Sequence, residues 1–397
     1  MAKRNSRAKR TIRRRAQAKA SSLQGEALPL LESLTELPAY DDLCPSDAQL
    51  KAYEDYEAEV LRREGDNAEL DLGCVVRLDR GFPAVLVKHD VFRAEFAARL
   101  TKGDFSRVAV GDWVCVRSPH GHEMGVIEKI LPRESDIARW KGGSRGERQT
   151  LAANVDVVLV VQSIEEWRIT SGRIARSVVV ARDCGARAAV VLTKADLAGA
   201  DLVEASVAHV REVLGDDCPV SVVASAGVVA DVEPLERATM RAGGRWGVES
   251  VRALVPKGQV AIMLGPSGVG KSTLLNALLG REALQTGAVR ESDGVGRHTT
   301  VARRMVAIPD AGIIVDEPGL RTLQLVGHER GLAMVFPDIA EAAKACKFRD
   351  CTHTHEPGCE VLARFGDKSP SPRLDTYLSL ANEMRQSAQT LDPDIVL

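Results

Sequence analysis

Apolar runs of two kinds alternate with polar stretches along this chain of 397 residues. Between residues 70 and 132 the runs are rich in β-branched side chains and are separated by Gly, Pro and Asp, which is typical of strands joined by tight turns. This pattern predicts a small closed barrel of four or five strands, and it fits the OB type and the SH3-like type equally well. The predicted strands are residues 73–76, 84–87, 114–116 and 125–127.

The pattern changes after residues 140–149, a polar and glycine-rich stretch that we interpret as a linker. Short, fully apolar runs alternate there with amphipathic stretches of helical period, at 172–184 and 201–214. Strands that are apolar on both faces and alternate with helices predict a mostly parallel α/β sheet that is covered on both sides. Its predicted strands are residues 155–161, 188–192, 220–224, 260–264 and 313–315.

These patterns predict a multi-domain protein. We expect a basic arm and an acidic connector over residues 1–66, and an OB-like β-barrel over 67–135. An α/β domain over 148–335 follows, and a module rich in Cys and His that ends in helices occupies 336–397.

The formal net charge of −2 conceals a strongly basic N-terminus, where nine of the first 25 residues are Lys or Arg and none is acidic. We expect this arm to be disordered alone and to add salt-dependent affinity for RNA phosphates, although a solubilising tail is an equal alternative. No uncharged apolar run approaches the roughly 18 residues of a transmembrane helix, and no signal-peptide stretch is present. We therefore expect a cytoplasmic protein without a membrane partner, and a monomer.

The clearest motif follows the apolar run 260–264 and precedes a leucine-rich helical stretch. It has the form G-x-x-x-x-G-K-[ST], the phosphate loop of nucleotide-binding proteins, in the strand–loop–helix context that this loop requires. Its glycines let backbone N–H groups turn towards a phosphate chain, the lysine reaches the β and γ phosphates, and the serine is a magnesium ligand. The motif consists of Gly265, Pro266, Ser267, Gly268, Val269, Gly270, Lys271, Ser272 and Thr273.

A second motif, of the form [NT]-K-x-D, follows the predicted strand 188–192. It comprises Thr193, Lys194, Ala195 and Asp196. The Asp196 carboxylate can accept hydrogen bonds from N1–H and the exocyclic amine of guanine, and adenine offers neither donor there. After the next predicted strand, a backbone N–H at Ser225-Ala226 can reach guanine O6. We interpret these residues as the guanine site; a helix cap is the alternative for the motif taken alone.

Residues for hydrolysis are predicted around a third strand end. Asp316 follows the apolar run 313–315 and can hold Mg²⁺ through water, and Gly319 can donate its N–H to the γ phosphate. Thr299 or Thr300, in a glycine-rich loop, can complete the magnesium shell when the γ phosphate is present, which would order that loop. Lys271 serves both binding and catalysis.

Eight cysteines occur, and three of them lie close together near the C-terminus. Cys346, Cys351, His353 and Cys359 have the spacing C-x4-C-x-H-x5-C. Three thiolates and one imidazole form a closed tetrahedral shell, which is typical of one structural Zn²⁺. Unmetallated cysteines are the alternative from spacing alone, and His355 could replace His353 as the ligand.

The order of these motifs is unusual for a GTPase, because Asp196 and Ser225 precede Gly265. The chain resembles the circularly permuted, ribosome-small-subunit-dependent GTPases of the RsgA type over about residues 70–365. The resemblance implies a circularly permuted P-loop GTPase domain, an OB barrel and a zinc knuckle. It also implies binding to the small ribosomal subunit and its rRNA, and GTP hydrolysis that is slow alone and promotes release during late subunit assembly.

Two alternatives remain from the sequence: a permuted GTPase of large-subunit assembly, and an RNA-binding module in which nucleotide is structural.

The sequence also leaves open which group positions the attacking water. The residues Asp316-Glu317-Pro318-Gly319 form the third motif, and a glutamine normally follows its glycine. Leu320 stands here instead, and its apolar side chain cannot hold the attacking water. His298, next to Thr299, is the local replacement, and the resemblance implies that role for it; an RNA-contacting loop histidine is the alternative. Glu317 departs from the family's usual threonine, and we expect little effect.

Overall fold

Five described strands on the N-terminal side of the α/β sheet form the barrel that the sequence predicts. Their pairs are antiparallel except for one parallel pair. The computed structural model describes residues 36–65, 69–79, 82–98, 100, 108–119, 124–141, 147–164, 171–224, 231–282, 303–316, 325, 327–366 and 371–391. The barrel strands are β1 (Asp71–Asp79), β2 (Phe82–Leu86), β3 (Val91–Phe96), β4 (Trp113–Arg117) and β5 (Gly125–Ile130). Their order β1-β2-β3-β5-β4, closed by β4 on β1 and with β3 parallel to β5, is the Greek-key arrangement of an OB barrel.

The described residues at both ends of the stretch interpreted as a linker lie in paired strands, so that interpretation was wrong for residues 140–141 and 147–149. Strands β6 (Asp136–Lys141) and β7 (Glu147–Ala153) pair antiparallel from Asp136↔Ala153 to Lys141↔Glu147. Polar residues hid the strands, although Ile137 of β6 and Leu151 of β7 are fully buried in the main core.

Among the described residues, the α/β sheet has seven strands in the order β11-β10-β9-β8-β12-β14-β13, and all are parallel except β13. Alternate residues of β8 face two separate apolar cores: Val158 and Val160 belong to one, Val157 and Leu159 to the other. This double burial explains the continuous apolar runs. The strands are β8 (Val157–Ser163), β9 (Arg187–Thr193), β10 (Val220–Val222), β11 (Arg245–Trp246), β12 (Val260–Leu264), β13 (Arg303–Ala307) and β14 (Ile313–Asp316).

Helices cover both faces of this sheet. Two helices contribute to the core on one face: α5 (Val248–Arg252) and α6 (Lys271–Leu279). The opposite core contains the amphipathic helices predicted near 172–184 and 201–214, with further helices after them. The helices on this face are α2 (Ser171–Asp183), α3 (Ala200–Leu214), α4 (Glu233–Arg241), α7 (Glu329–Val335), α8 (Pro337–Lys344), α9 (Glu360–Phe365) and α10 (Pro372–Leu391).

The barrel and the α/β sheet share hydrogen bonds. Strand β1 pairs antiparallel with β13, with Arg77 opposite Arg304, so the described strands of both parts form one continuous sheet. Helix α1 (Asp47–Glu64) begins at a Ser46 capping box, and Tyr56 in it donates to Glu128 of the barrel at 2.8 Å. Within the part of the chain that the structure describes, no helix combines the length and apolarity needed to cross a membrane.

Candidate nucleotide and metal sites

The predicted phosphate loop forms the turn between β12 and α6. A Cβ on Gly265 would lie 2.3 Å from the carbonyl oxygen of Val161 in β8, so only glycine fits there. Gly268 and Gly270 have φ of +82° and +94°, which other residues rarely adopt. The loop thus leads its backbone around the N-terminus of α6, where N–H groups without helical partners make an anion site.

Lys271, the first residue of α6, lies over this loop. Its Nζ donates to the carbonyl oxygens of Gly265 at 2.6 Å and Pro266 at 2.8 Å. The side chain is half-buried, and its ammonium group is therefore held at the position where a bound phosphate chain would pass. A bound polyphosphate would exchange these carbonyl contacts for charge-assisted ones, which are roughly twice as strong.

The motif that is predicted to recognise the base begins at the end of β9. Thr193 is buried, and its hydroxyl donates to the backbone carbonyl of Val269 in the phosphate loop at 2.5 Å. Lys194 has a left-handed backbone with φ +59°, which turns the chain sharply, and Asp196 follows in the 3₁₀ helix Ala195–Leu197. The structure therefore joins the two motifs that the sequence predicts to share one ligand.

A cavity of about 340 Å³ lies between the base motif and α6. Thr193 and Lys194 line one side, Gly270 and Thr273 line another, and Trp246 of β11 contributes an aromatic wall. Its volume is within the range of small-ligand sites. Trp246 was not predicted as a site residue, because a strand of two residues has no periodic pattern to detect.

Asp316 is the last residue of β14. Because β14 is parallel to β12, Asp316 lies at the same edge of the sheet as the phosphate loop. On its other side it is paired with Arg304 of β13, whose Nε lies 3.9 Å from Asp316 Oδ2. Six further predicted site residues lie outside the described residues: Ser225, Ala226, His298, Thr299, Thr300 and Gly319.

The four predicted metal ligands converge in the C-terminal region. The ligand atoms of Cys346, Cys351, His353 and Cys359 all lie within 4.8 Å of one another. His353 Nδ1 is 3.6 Å from Cys346 Sγ and 3.5 Å from Cys359 Sγ, and the two sulfurs are 3.9 Å apart. Such spacing is compatible with four bonds to one central ion, so the cluster could hold a metal.

Two shifted pKa values in the cluster, those of Cys346 and His353, favour the forms that bind a metal ion. Burial acts to raise the pKa of the Cys346 thiol, but backbone hydrogen bonds from Val361 and Glu360 outweigh it and lower that pKa. The pKa of Cys351 rises to about 12, first through burial and then because neighbouring sulfurs oppose a further negative charge. Burial lowers the pKa of His353, which favours the neutral imidazole that binds metals.

The loop around the cluster separates the two candidate histidines. His353 is buried and has φ +60°, whereas His355 is exposed and its Nδ1 lies 2.8 Å from the Thr354 hydroxyl. Glu356 fixes this loop by accepting from the backbone N–H groups of Thr352, at 2.8 Å, and of Thr354 and His355. The structure thus brings His353, and not His355, to the three thiols.

Comparison with known proteins agrees with this geometry. A family model described as RsgA GTPase matches residues 130–326, which include the α/β sheet and both nucleotide motifs. A Streptomyces coelicolor protein called "Small ribosomal subunit biogenesis GTPase RsgA" is 38% identical over 322 residues, covering 81% of this chain and 82% of the relative.

Two solved structures have a similar fold. YjeQ from Thermotoga maritima has a TM-score of 0.54 at 22% identity, covering 80% of this chain and 99% of that one. YloQ, described as a circularly permuted GTPase, has a TM-score of 0.53 at 22% identity and covers 82% of this chain and 98% of its own. The base motif on β9 precedes the phosphate loop after β12, as a circular permutation requires. With this order of motifs and 38% identity over 81% of its length to a named relative, the chain belongs to the RsgA family of circularly permuted GTPases.

Proposed function

We propose that this chain hydrolyses GTP to GDP while bound to the small ribosomal subunit during late subunit assembly, and that hydrolysis promotes its release. GTP binding and hydrolysis are supported chiefly by the hydrogen bond from Thr193 to Val269. This bond connects the predicted base motif to the phosphate loop beside one cavity. The name of the Streptomyces coelicolor relative supports the ribosomal part.

In this proposal the nucleotide is held at its two ends. The phosphates lie against the N-terminus of α6, and Lys271 moves its hydrogen bonds from the loop carbonyls to the β and γ phosphates. Asp196 accepts from guanine N1–H and the exocyclic amine, and Ser225 and Ala226 supply the contact to O6. Trp246 covers one wall of the base cavity. Specificity for guanine follows, because adenine would leave the Asp196 carboxylate without its donors.

Hydrolysis needs a magnesium ion and an oriented water. The Ser272 hydroxyl and the Asp316 carboxylate are hard oxygen donors at the same edge of the sheet, and they fit Mg²⁺ by their chemistry. When bound with GTP, Mg²⁺ neutralises charge on the phosphates. We propose that Thr299 or Thr300 completes the shell and that Gly319 donates to the γ phosphate. His298 orients the attacking water in place of the missing glutamine.

Zinc is the metal that we propose for the Cys/His cluster. The donor set of Cys346, Cys351, His353 and Cys359 fits a closed tetrahedral Zn²⁺ site, and the lowered pKa of Cys346 favours its ionised form. Closing this shell would stabilise the chain between α8 and α10. The ion has a structural role here, because four protein ligands leave no position for substrate.

The surface of this cluster suits rRNA. Phe348 is 40% exposed, and Lys347 Nζ lies 5.4 Å from the centre of its ring. Stacking of an unpaired base on Phe348, with nearby cations on the phosphates, is a common mode of RNA recognition. The basic residues of this surface are Lys344, Lys347, Arg349 and Arg364.

The rate of GTP hydrolysis tests the proposal. It is measured for the chain alone, with purified small subunits and with purified large subunits. We expect slow hydrolysis alone and a clear increase with small subunits only, while Lys271→Ala reports the background. Stimulation by the large subunit would favour the other assembly pathway. Tight GTP binding with no turnover under any condition would leave an RNA-binding module with structural nucleotide.

A further inference from the structure

Glu36, which precedes the barrel, contacts the chain after α6 and strand β13. Its side chain is only 10% exposed and forms ion pairs with two arginines. Glu36 Oε2 is 3.1 Å from a terminal nitrogen of Arg304, and Oε1 is 3.4 Å from a terminal nitrogen of Arg281. Arg281 follows α6, and Arg304 is in β13, so residue 36 connects elements that are far apart in sequence.

Backbone contacts fix Glu36 independently of its carboxylate. The carbonyl oxygen of Glu36 accepts from the N–H of Ala307 in β13 at 2.9 Å. Nearby, the Tyr40 hydroxyl donates to the Leu72 carbonyl at 3.2 Å, and the Tyr40 ring meets Trp113 edge-on at a centroid distance of 5.9 Å. A change confined to the Glu36 side chain therefore leaves the path of this segment in place.

Arg304 is the connection between Glu36 and the nucleotide site. Its guanidinium is 3.1 Å from Glu36 on one side and 3.9 Å, through Nε, from Asp316 Oδ2 on the other. Arg77, the cross-strand neighbour of Arg304 on β1, is paired with Asp79 at 2.8 Å. Arg304 thus stands between two carboxylates, one of which we assign to Mg²⁺.

A guanidinium beside a magnesium ligand opposes the metal in two ways. It competes for the carboxylate oxygens, and its positive charge repels a divalent cation at a distance where screening by solvent is weak in a partly buried site. Both effects shrink when a second carboxylate compensates the guanidinium. Glu36 provides that compensation at the shorter of the two distances.

We propose that Glu36 is a positioning residue for the magnesium site: by holding and neutralising Arg304, it weakens the competition of that guanidinium with Mg²⁺ for the Asp316 carboxylate. This inference rests on the proposed function, since it takes Asp316 as a magnesium ligand. It gives a role at the nucleotide site to a residue that precedes the barrel and stands 280 positions before Asp316.

The test is a Mg²⁺ titration of fluorescent GTP binding to the full chain. For Glu36→Gln we expect the Mg²⁺ concentration at half-saturation to rise about tenfold, which corresponds to about 1.4 kcal/mol. In EDTA, the nucleotide affinity of Glu36→Gln should stay within about twofold of wild type. A residue that acts only through the metal does not change the affinity of the metal-free protein. Glu36→Asp should restore part of the magnesium affinity.

A double variant and a control make the result decisive. Glu36→Gln combined with Arg304→Gln should return the half-saturation close to wild type, because the cation that needs compensation is gone. Glu341→Gln, which breaks the exposed ion pair to Lys344, should leave the titration unchanged. An unchanged half-saturation in Glu36→Gln, or an equal loss in EDTA, would overturn the inference. If the wild-type chain itself binds GTP without any dependence on Mg²⁺, the proposed function fails first, and the role of Glu36 fails with it.

Discussion

The nucleotide site and the Cys/His cluster are built in opposite ways. The nucleotide site takes its residues from the ends of β9, β12 and β14, and its key hydrogen bond joins Thr193 to Val269 across 76 positions. The four residues of the cluster, from Cys346 to Cys359, lie between α8 and the start of α9, with no strand of the sheet among them.

This difference in construction implies a difference in what stabilises each site. The nucleotide pocket is held by strands that are buried on both faces, so its shape comes from the main core and should exist before ligand binds. The cluster gathers three thiols, and the pKa of Cys351 is raised first by burial and then by the two neighbouring sulfurs. We therefore expect a bound cation to stabilise the cluster, and we expect damage to one site to leave ligand binding at the other largely unchanged.

Removing the metal should have the largest effect. Cys359→Ala, or treatment with a strong chelator, should abolish metal binding and destabilise the segment around residues 346–366 by about 4 kcal/mol or more, as loss of a structural metal does. Hydrogen exchange and metal analysis measure this change. GDP affinity should stay within about twofold, because the sites do not share partners. A collapse of GDP binding in parallel would show that the two regions are one folding unit.

Lys271→Ala should have the next largest effect, now confined to the nucleotide site. Losing charge-assisted bonds worth about 1.5–3 kcal/mol should weaken GTP and GDP binding by about 10- to 100-fold. Calorimetry gives the affinities, and the metal content should remain that of wild type. Lys257→Ala, at an exposed lysine paired loosely with Asp310 at 3.5 Å, is the control. Wild-type affinity in Lys271→Ala would contradict the assignment of the phosphate loop.

Thr193→Val should have a smaller effect on the same site. Valine keeps the shape but removes the donor to the Val269 carbonyl, which costs about 1 kcal/mol and should weaken nucleotide binding about fivefold. Thr193→Ser should recover most of the affinity. Nucleotide dissociation rates are the sensitive measurement. If valine and serine behave alike, the hydroxyl does not connect the two motifs.

His355→Ala should have the smallest effect, although this histidine is only two positions from a ligand. Its ring contacts Thr354 at 2.8 Å and is exposed, so we expect metal content and thermal stability close to wild type. His353→Ala is the matched variant and should lower metal affinity strongly, since one of four ligands is lost. Equal metal loss in both variants would mean that the histidines exchange as ligands.

The sequence predicted those elements whose pattern is contained within a few neighbouring residues. The Gly265–Lys271 spacing, the apolar strands and the barrel runs each follow from neighbours within a few residues, and the structure contains them. The strand pair β6–β7 escaped detection because its few buried apolar residues, such as Ile137 and Leu151, do not form a regular alternation with polar residues. His355 could not be separated from His353 by spacing, because the choice depends on burial.

The order of motifs, the identity of the phosphate loop and the four-residue Cys/His spacing were thus determined by the sequence alone, because each is written in contiguous residues. Only the tertiary structure decided that Trp246 lines the cavity beside Thr193, that β1 continues the sheet through β13, and that Glu36 meets Arg304 beside Asp316. These contacts join positions far apart along the chain. Their existence depends on which strands pair, and that is settled by burial of the whole core rather than by any local pattern.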